Sequence, residues 1–399
     1  MIDARISSVR VFELVTTLPE DPFPRGFPRQ SRPASVYESC HVGPEGRPTP
    51  GGSRRKTSLY LEIGTTAGVT GRYGPIDREA VAPLAEGMAA SLLGLDALAH
   101  SYIWDLLQRG NRHSRHGQHK IAISAVDNAL WDVRGRMFGA PVWQLLGGSG
   151  RARIPAYAST LGTFHDDGEV ERTAAELMDE GYTAQKWFFA DGPGQGADGM
   201  DRNVALAERA RSAVGDRCAL MFDAFMSWDL AYARQWCRRV ERLRPDWLEE
   251  PFPPGAVPAY AQLRSSTAIP LAMGEHLYDR HDVLPFLQQG LIDVLQADPE
   301  WCGGVTDLVR MCAMAEPFGV AVIPHGHGIH AALHVVASQS PEVCPRVEYL
   351  VHHMPERHHF EADPPAPKGG TIVLPARPGF GIEFAEERIE ARVDLVTAG

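Results

Sequence analysis

Hydrophobic and polar positions follow two different patterns on either side of residue 150. From Ile154 onward, apolar runs recur at 154–159, 183–190, 218–224, 246–251, 269–275, 292–298, 320–325 and 346–350. Helical patterns separate them, among them 168–181, 201–214, 229–242, 280–289, 303–317 and 328–338. Short continuous apolar runs alternating with helices predict strands buried on both faces. Eight of them predict a parallel sheet closed into a barrel. Before residue 150, Ile6 to Val15 reads as a strand, and TSLYLEI (57–63) alternates as one. Helical patterns follow from about Ala80 to Leu107 and from about Lys120 to Phe138. The second places Ile121, Ala125, Ala129 and Val133 on one stripe, stops at Gly139 and is followed by Pro141. Between Leu18 and Arg55 lies a Pro/Gly/Arg stretch too long for a plain connection, and it reads as a functional loop. The expected division is 1–150, 151–355 for the barrel, and a helix-free 356–399 that returns to the first unit.

Composition narrows the function class. A chain of 399 residues suits a barrel plus a second unit. Its net charge of −11 argues against a nucleic-acid surface and suits an enzyme of small molecules, with any anionic substrate needing a local positive site. Six scattered cysteines without a CxxC pair, an N-terminus unlike a signal peptide and no run of membrane-spanning length predict a reduced, cytoplasmic protein.

The chemistry concentrates at strand ends. Asp223, Glu249 and Glu275 close three successive apolar runs at intervals of 26 residues. That interval matches one strand-plus-helix unit of a barrel, which takes about 25–30 residues. Singly, each acid reads equally well as a helix N-cap. Together they would converge above the barrel, where a hard divalent ion such as Mg²⁺ would reconcile their charges. Asp298 and His325 end the next two strands, so a carboxylate can fix the imidazole tautomer and make a general base of it. Lys186 in QKWFF either faces the barrel mouth, with Phe188 on the same side, or snorkels at a strand edge. Glu348 and His276 are further candidates for contact with substrate, and Arg55 of the Arg54–Arg55 edge is a candidate for neutralising it. His327 and His330 lack zinc-helix spacing, and VHHMPERHHF reads as a solvated loop. The Gly194–Gly196–Gly199 series resembles a dinucleotide fingerprint but lies mid-barrel, with Gly199 ahead of an expected helix start at Asp201.

Taken together, AISAVDNALWDVRGRMFGAPVWQLLGG (122–148), the acidic series, the Asp298–His325 dyad and PGFGIEF (378–384) resemble the enolase superfamily, in its mandelate racemase subgroup. Within it, GPGQGADG, EEPFPP, GEH and ADPEWCGGVT are similar to the L-rhamnonate dehydratase family and related acid-sugar dehydratases. The resemblance implies an α/β fold, a modified (β/α)₇β TIM-like barrel, with an α+β capping domain built from 1–150 and the 356–399 tail. It implies Mg²⁺ on Asp223, Glu249 and Glu275, with His325 as base, Asp298 behind it and Lys186 stabilising negative charge. The implied reaction is dehydration of an acid sugar to a 2-keto-3-deoxy acid through an enediolate. A dimer-based homo-oligomer, extending to an octamer, is also implied. Racemases of the subgroup carry Lys-x-Lys on the second strand, and Phe188 replaces the second lysine here, which weakens a racemase, epimerase or cycloisomerase alternative. A non-catalytic binding protein on this fold would be expected to have lost ligands or base.

Overall fold

Three N-terminal strands form an antiparallel sheet: β1 (Ile6–Leu18), β2 (Arg54–Thr65) and β3 (Thr70–Ile76). The computed structural model describes residues 3–18, 30–40, 53–163, 165 and 168–399, so 19–29 and 41–52 of the expected loop lie outside the described residues. β3 escapes the sequence reading because Gly71, Gly74 and Pro75 interrupt its alternation. The free edge of β1 is taken by a strand from the far end of the chain, Ala391–Ala398, in antiparallel register (Val11 opposite Val396).

The expected long helix 80–107 is instead broken. Short helical turns end by Ser91, and α1 occupies His100–Gly110. Helix α2 (Gly117–Phe138) ends on Gly139, whose φ of 65° gives the left-handed cap that the sequence suggested. It is buried on nearly every side, not along one stripe, because it packs on β3 and on a barrel helix. Within it, buried Asp132 accepts hydrogen bonds from Arg72 N (2.7 Å), Phe380 N (2.8 Å) and Arg136 Nε (2.6 Å), tying sheet, helix and C-terminal segment together. Gly135 lets Gly379 approach so closely that a Cβ on residue 135 would lie 2.4 Å from the Gly379 Cα.

The eight apolar runs form β4 (Arg153–Ser159), β5 (Ala184–Phe188), β6 (Ala219–Asp223), β7 (Trp247–Glu249), β8 (Leu271–Met273), β9 (Val294–Leu295), β10 (Ala321–Val322) and β11 (Val347–Leu350). Between them run α3 (Glu169–Asp179), α4 (Gly196–Val214), α5 (Leu230–Val240), α6 (Val257–Arg264), α7 (Arg280–Gln288), α8 (Gly304–Ala315) and α9 (His330–Ser338). This is a (β/α)₇β arrangement, with α2 against α8. The parallel ladder runs β10-β9-β8-β7-β6-β5-β4-β11, so the expected full closure is interrupted between β10 and β11. Side-chain and loop contacts bridge that seam, including Gly326 N to Glu348 Oε2 at 2.8 Å. α4 starts at Gly196, five residues before the expected Asp201, so Gly199 lies inside the helix. β12 (Thr371–Val373) pairs antiparallel with the N-terminal end of β4, and β13 is the strand Ala391–Ala398 already met beside β1.

Inside the barrel, Tyr157, Ala184, Met221, Trp247, Ala272, Val294 and Ile323 pack as one apolar cluster. Strand alternation then turns the residues two positions further on toward the same interior, one layer closer to the strands' C-terminal ends.

Candidate active site

That next layer reads Ser159, Lys186, Asp223, Glu249, Gly274, Gln296 and His325. Above it opens a cavity of about 650 Å³ lined by barrel residues and by Lys56, Asp77 and Arg78 of the N-terminal unit. Sequence spacing therefore brings together Lys186, Asp223, Glu249, Glu275, Asp298, His325 and Glu348, all of them buried or, for His325, nearly so.

Lys186 faces inward. Its ammonium lies 2.5 Å from Glu249 Oε1, 2.9 Å from Glu348 Oε1 and 3.5 Å from Asp223 Oδ2. Burial opposes its charge, but Glu249 and Glu348 outweigh it and hold the lysine well above its ordinary pKa. Glu348 answers in kind: burial works against its charge, while Lys186 and His325 bring it down to about 2. The other oxygen of Glu249 accepts from Trp247 Nε1 (2.9 Å) and Gln296 Nε2 (2.7 Å), which fixes the carboxylate's rotation.

His325 Nδ1 sits 2.7 Å from Asp298 Oδ2, and its Nε2 is 3.1 Å from Glu275 Oε2. Asp298 Oδ1 accepts from Glu300 N (2.6 Å), so both carboxylate oxygens are engaged. Burial disfavours the imidazolium, but Glu275 and Asp298 prevail and push His325 up to about 10. His276 Nδ1 lies 2.9 Å from Glu250 Oε2 and 3.3 Å from Glu275 Oε1. Trp301 stands among His276, His325 and His327, with ring centroids 5.8, 5.2 and 4.9 Å away, and donates to Asp77 Oδ2 (2.6 Å).

The trio has the donors of a hard-cation site, oxygens only. Asp223 is held well above its usual range by burial and by Glu249, and Glu275 is raised to about 7, first by burial. A divalent ion would relieve this burial of like charge. Each carboxylate has meanwhile turned to a cation of the protein, Asp223 and Glu249 to Lys186 and Glu275 to the two histidines, which holds the three apart. Among the described residues, the triads whose ligand atoms all lie within 4.8 Å are therefore others, Glu250–Glu275–His276 and His330–His358–Glu361. In the second of these, both imidazoles hydrogen-bond Glu361 (2.7 and 2.8 Å), while His330 Nδ1 and His358 Nε2 find no partner. A metal ligand normally anchors its outer N–H, so this triad fits a hydrogen-bonded carboxylate better than an ion.

Arg55 does not reach the cavity. It pairs with Glu13 on β1 at 3.1 Å, because alternation along β2 sends Lys56, not Arg55, inward. The 351–360 segment is not a solvated loop: Met354 and His358 are buried, and His353, Met354, Glu356 and Arg357 line the cavity. Sequence reasoning also missed Gln296 and Glu250. Gln296 stands two residues before Asp298 on one strand face, a readable signal. Glu250 leaves the strand at a φ of 35° and turns toward Gly274 N and His276, which no pattern announces. Among the described residues, no helix is long and apolar enough to cross a membrane.

Two family descriptions match the chain: "Enolase C-terminal domain-like" over residues 169–388, and "Mandelate racemase / muconate lactonizing enzyme, N-terminal domain" over 49–147. An L-rhamnonate dehydratase of Saccharopolyspora erythraea is 32% identical over 81% of this chain and 79% of its own length. A D-galactarolactone cycloisomerase of Agrobacterium fabrum is 29% identical over 84% and 91%. Among solved structures, a rhamnonate dehydratase from Gibberella zeae complexed with Mg superposes with a TM-score of 0.83 at 25% identity, covering 96% of this chain and 95% of that one.

Proposed function

The chain belongs to the mandelate racemase and muconate lactonizing enzyme family of the enolase superfamily, and from that premise we propose that it is a Mg²⁺-dependent hydro-lyase converting an acid sugar to a 2-keto-3-deoxy acid. One observation carries the choice of reaction: Phe188, which cannot move a proton, lines the β5 side of the cavity. His325 with Asp298 stands at the ends of β10 and β9, while the β5 side presents Phe188 and a lysine saturated by three carboxylates. Inverting a stereocentre by proton transfer needs a base on each face, whereas elimination needs one.

Asp223, Glu249 and Glu275 would hold the ion, which when bound supplies Lewis-acid stabilisation of charge on the substrate carboxylate. Gln296 and Trp247 keep Glu249 aligned for that task. His325, neutral once Glu275 is engaged elsewhere, takes the α-proton on Nε2, and Asp298 keeps the other proton on Nδ1. The protonated imidazole then gives its proton to the departing 3-hydroxyl, so that water leaves and the enol ketonises. Lys186 stays charged and balances the developing anion, with Glu348 beside it to accept a substrate hydrogen bond. His276, held by Glu250, can donate to a substrate oxygen from the β8 side.

The cycloisomerase relative supports a second reading on the same machinery. Incubating Mg²⁺-loaded protein with a panel of acid sugars and their lactones separates the two. We expect 2-keto acid with loss of water, and exchange of the α-hydrogen with solvent for one stereoisomer only. A ring-opened product of unchanged mass, or exchange at both stereoisomers, would overturn the dehydratase.

A further inference from the structure

Two cationic side chains from distant parts of the sequence, Lys56 and Arg357, line the same cavity. Lys56 on β2 lines the cavity, is partly buried, and makes no hydrogen bond or ion pair among the described residues. Its charged neighbours are Arg54, Arg357 and Glu356. Glu356 is already engaged by Arg54 Nη1 at 2.5 Å. Arg357 donates from Nη2 to Pro75 O (2.7 Å) and lies 3.5 Å from Asp77, while its buried Nε has no acceptor. Asp77 is itself taken by His327 (2.6 Å) and Trp301 (2.6 Å). Two cationic side chains thus line one space, and among the described residues the carboxylates beside them, Glu356 and Asp77, already hold other partners.

A half-buried ammonium without a counter-ion is costly, and a sugar hydroxyl does not neutralise it. An anion does. Deep in the same cavity the Asp223–Glu249–Glu275 set is the place for one substrate carboxylate, through its cation. From these two ends we infer that the substrate is a diacid, an aldaric acid whose second carboxylate is held at the rim by Lys56 and Arg357. The inference rests on the acid-sugar reading above and narrows it to one substrate class. Glu356, paired with Arg54, and Arg78, paired with Glu13, line the same cavity.

The test compares matched substrates with Mg²⁺-loaded protein: galactarate against galactonate, and glucarate against gluconate. The diacid of a reactive pair should show the higher kcat/KM. Lys56→Gln should lower the diacid-to-monoacid ratio roughly 10- to 100-fold, the range expected for one charge-assisted contact, and Lys56→Arg should restore most of it. Equal or better turnover of the monoacid, or an equal fall for both in Lys56→Gln, overturns the subsite and leaves dehydration standing. Preference for a 6-phosphorylated monoacid overturns the carboxylate assignment. If no acid sugar of either kind turns over, the dehydratase reading fails. Titration calorimetry of the same pairs then decides the subsite alone, tighter hexarate binding supporting it and equal or weaker binding overturning it.

Discussion

Asp298→Asn should be more damaging than Asp298→Ala, for a reason visible in two hydrogen bonds. Asp298 Oδ1 accepts from Glu300 N at 2.6 Å, and Oδ2 faces His325 Nδ1 at 2.7 Å. An asparagine of the same shape must keep its carbonyl oxygen toward the backbone N–H, because its amino group cannot accept. The amino group is then forced toward Nδ1. Nδ1 becomes an acceptor, the imidazole proton moves to Nε2, and the nitrogen that should take the substrate proton is already protonated. Reversal of the tautomer in an orienting pair of this kind costs roughly 10³- to 10⁴-fold in kcat, about 4–5.5 kcal/mol of activation free energy. Asp298→Ala presents neither donor nor acceptor and leaves both tautomers accessible, so its loss should be smaller by roughly tenfold. The assay is 2-keto acid formation at saturating substrate and Mg²⁺, followed as the semicarbazone, with Mg²⁺ affinity measured alongside. Retention of more than a tenth of the activity in Asp298→Asn, or an alanine variant at least as impaired, would refute the assignment of Nε2 as the base.

Three further outcomes follow from contacts outside the reacting atoms. Gln296→Leu removes the 2.7 Å brace on Glu249 Oε2 and should weaken Mg²⁺ binding roughly 10- to 100-fold by calorimetry; unchanged affinity would detach Gln296 from the ion site. Gly135→Ala places a Cβ 2.4 Å from the Gly379 Cα and should destabilise the protein by about 1–3 kcal/mol in chemical unfolding, an unaltered midpoint showing that the two backbones have room to part. Asp127, buried between α2 and α8, has its carboxyl raised from 3.8 to about 7 by burial, against the hydrogen bonds from Thr306. Its folded-state pKa exceeds the unfolded one, so its stabilising share is complete below pH 3.8 and is lost as pH rises through about 7. Asp127→Asn should flatten that part of the stability–pH curve, and a parallel curve would refute the shift.

The barrel and its inner residues were legible because a strand end is a local signal. Apolar run, acid, turn and helix all lie within one stretch of chain, and a 26-residue repeat places successive acids on neighbouring strands without further information. Alternation put Phe188 on the face of Lys186 but left open whether that face looked into the barrel. The rim was not legible, because its residues meet only through tertiary packing: Lys56 comes from β2 and Arg357 from beyond β11. Choosing Arg55 over Lys56 was an error of one residue, which on a strand is an error of a whole face. The 351–360 segment misled for a related reason. Its His358 and Arg357 look solvated in sequence, yet Glu361 and Asp77 wait for them in the fold. β3 and the break after Ser91 were hidden by glycine and proline, which erase periodicity without preventing a strand or a turn.

The pairing of β13 with β1 sets an order of events during synthesis. β1 is made first, but its outer edge must wait until residues 391–398 emerge, after the whole barrel has been threaded through the ribosome. The barrel can therefore condense strand by strand on the growing chain, while the sheet that supplies Lys56 keeps one bare edge until the end. A chain lacking residues 391–398 would keep Asp223, Glu249 and Glu275 and still expose an open β-edge to its neighbours.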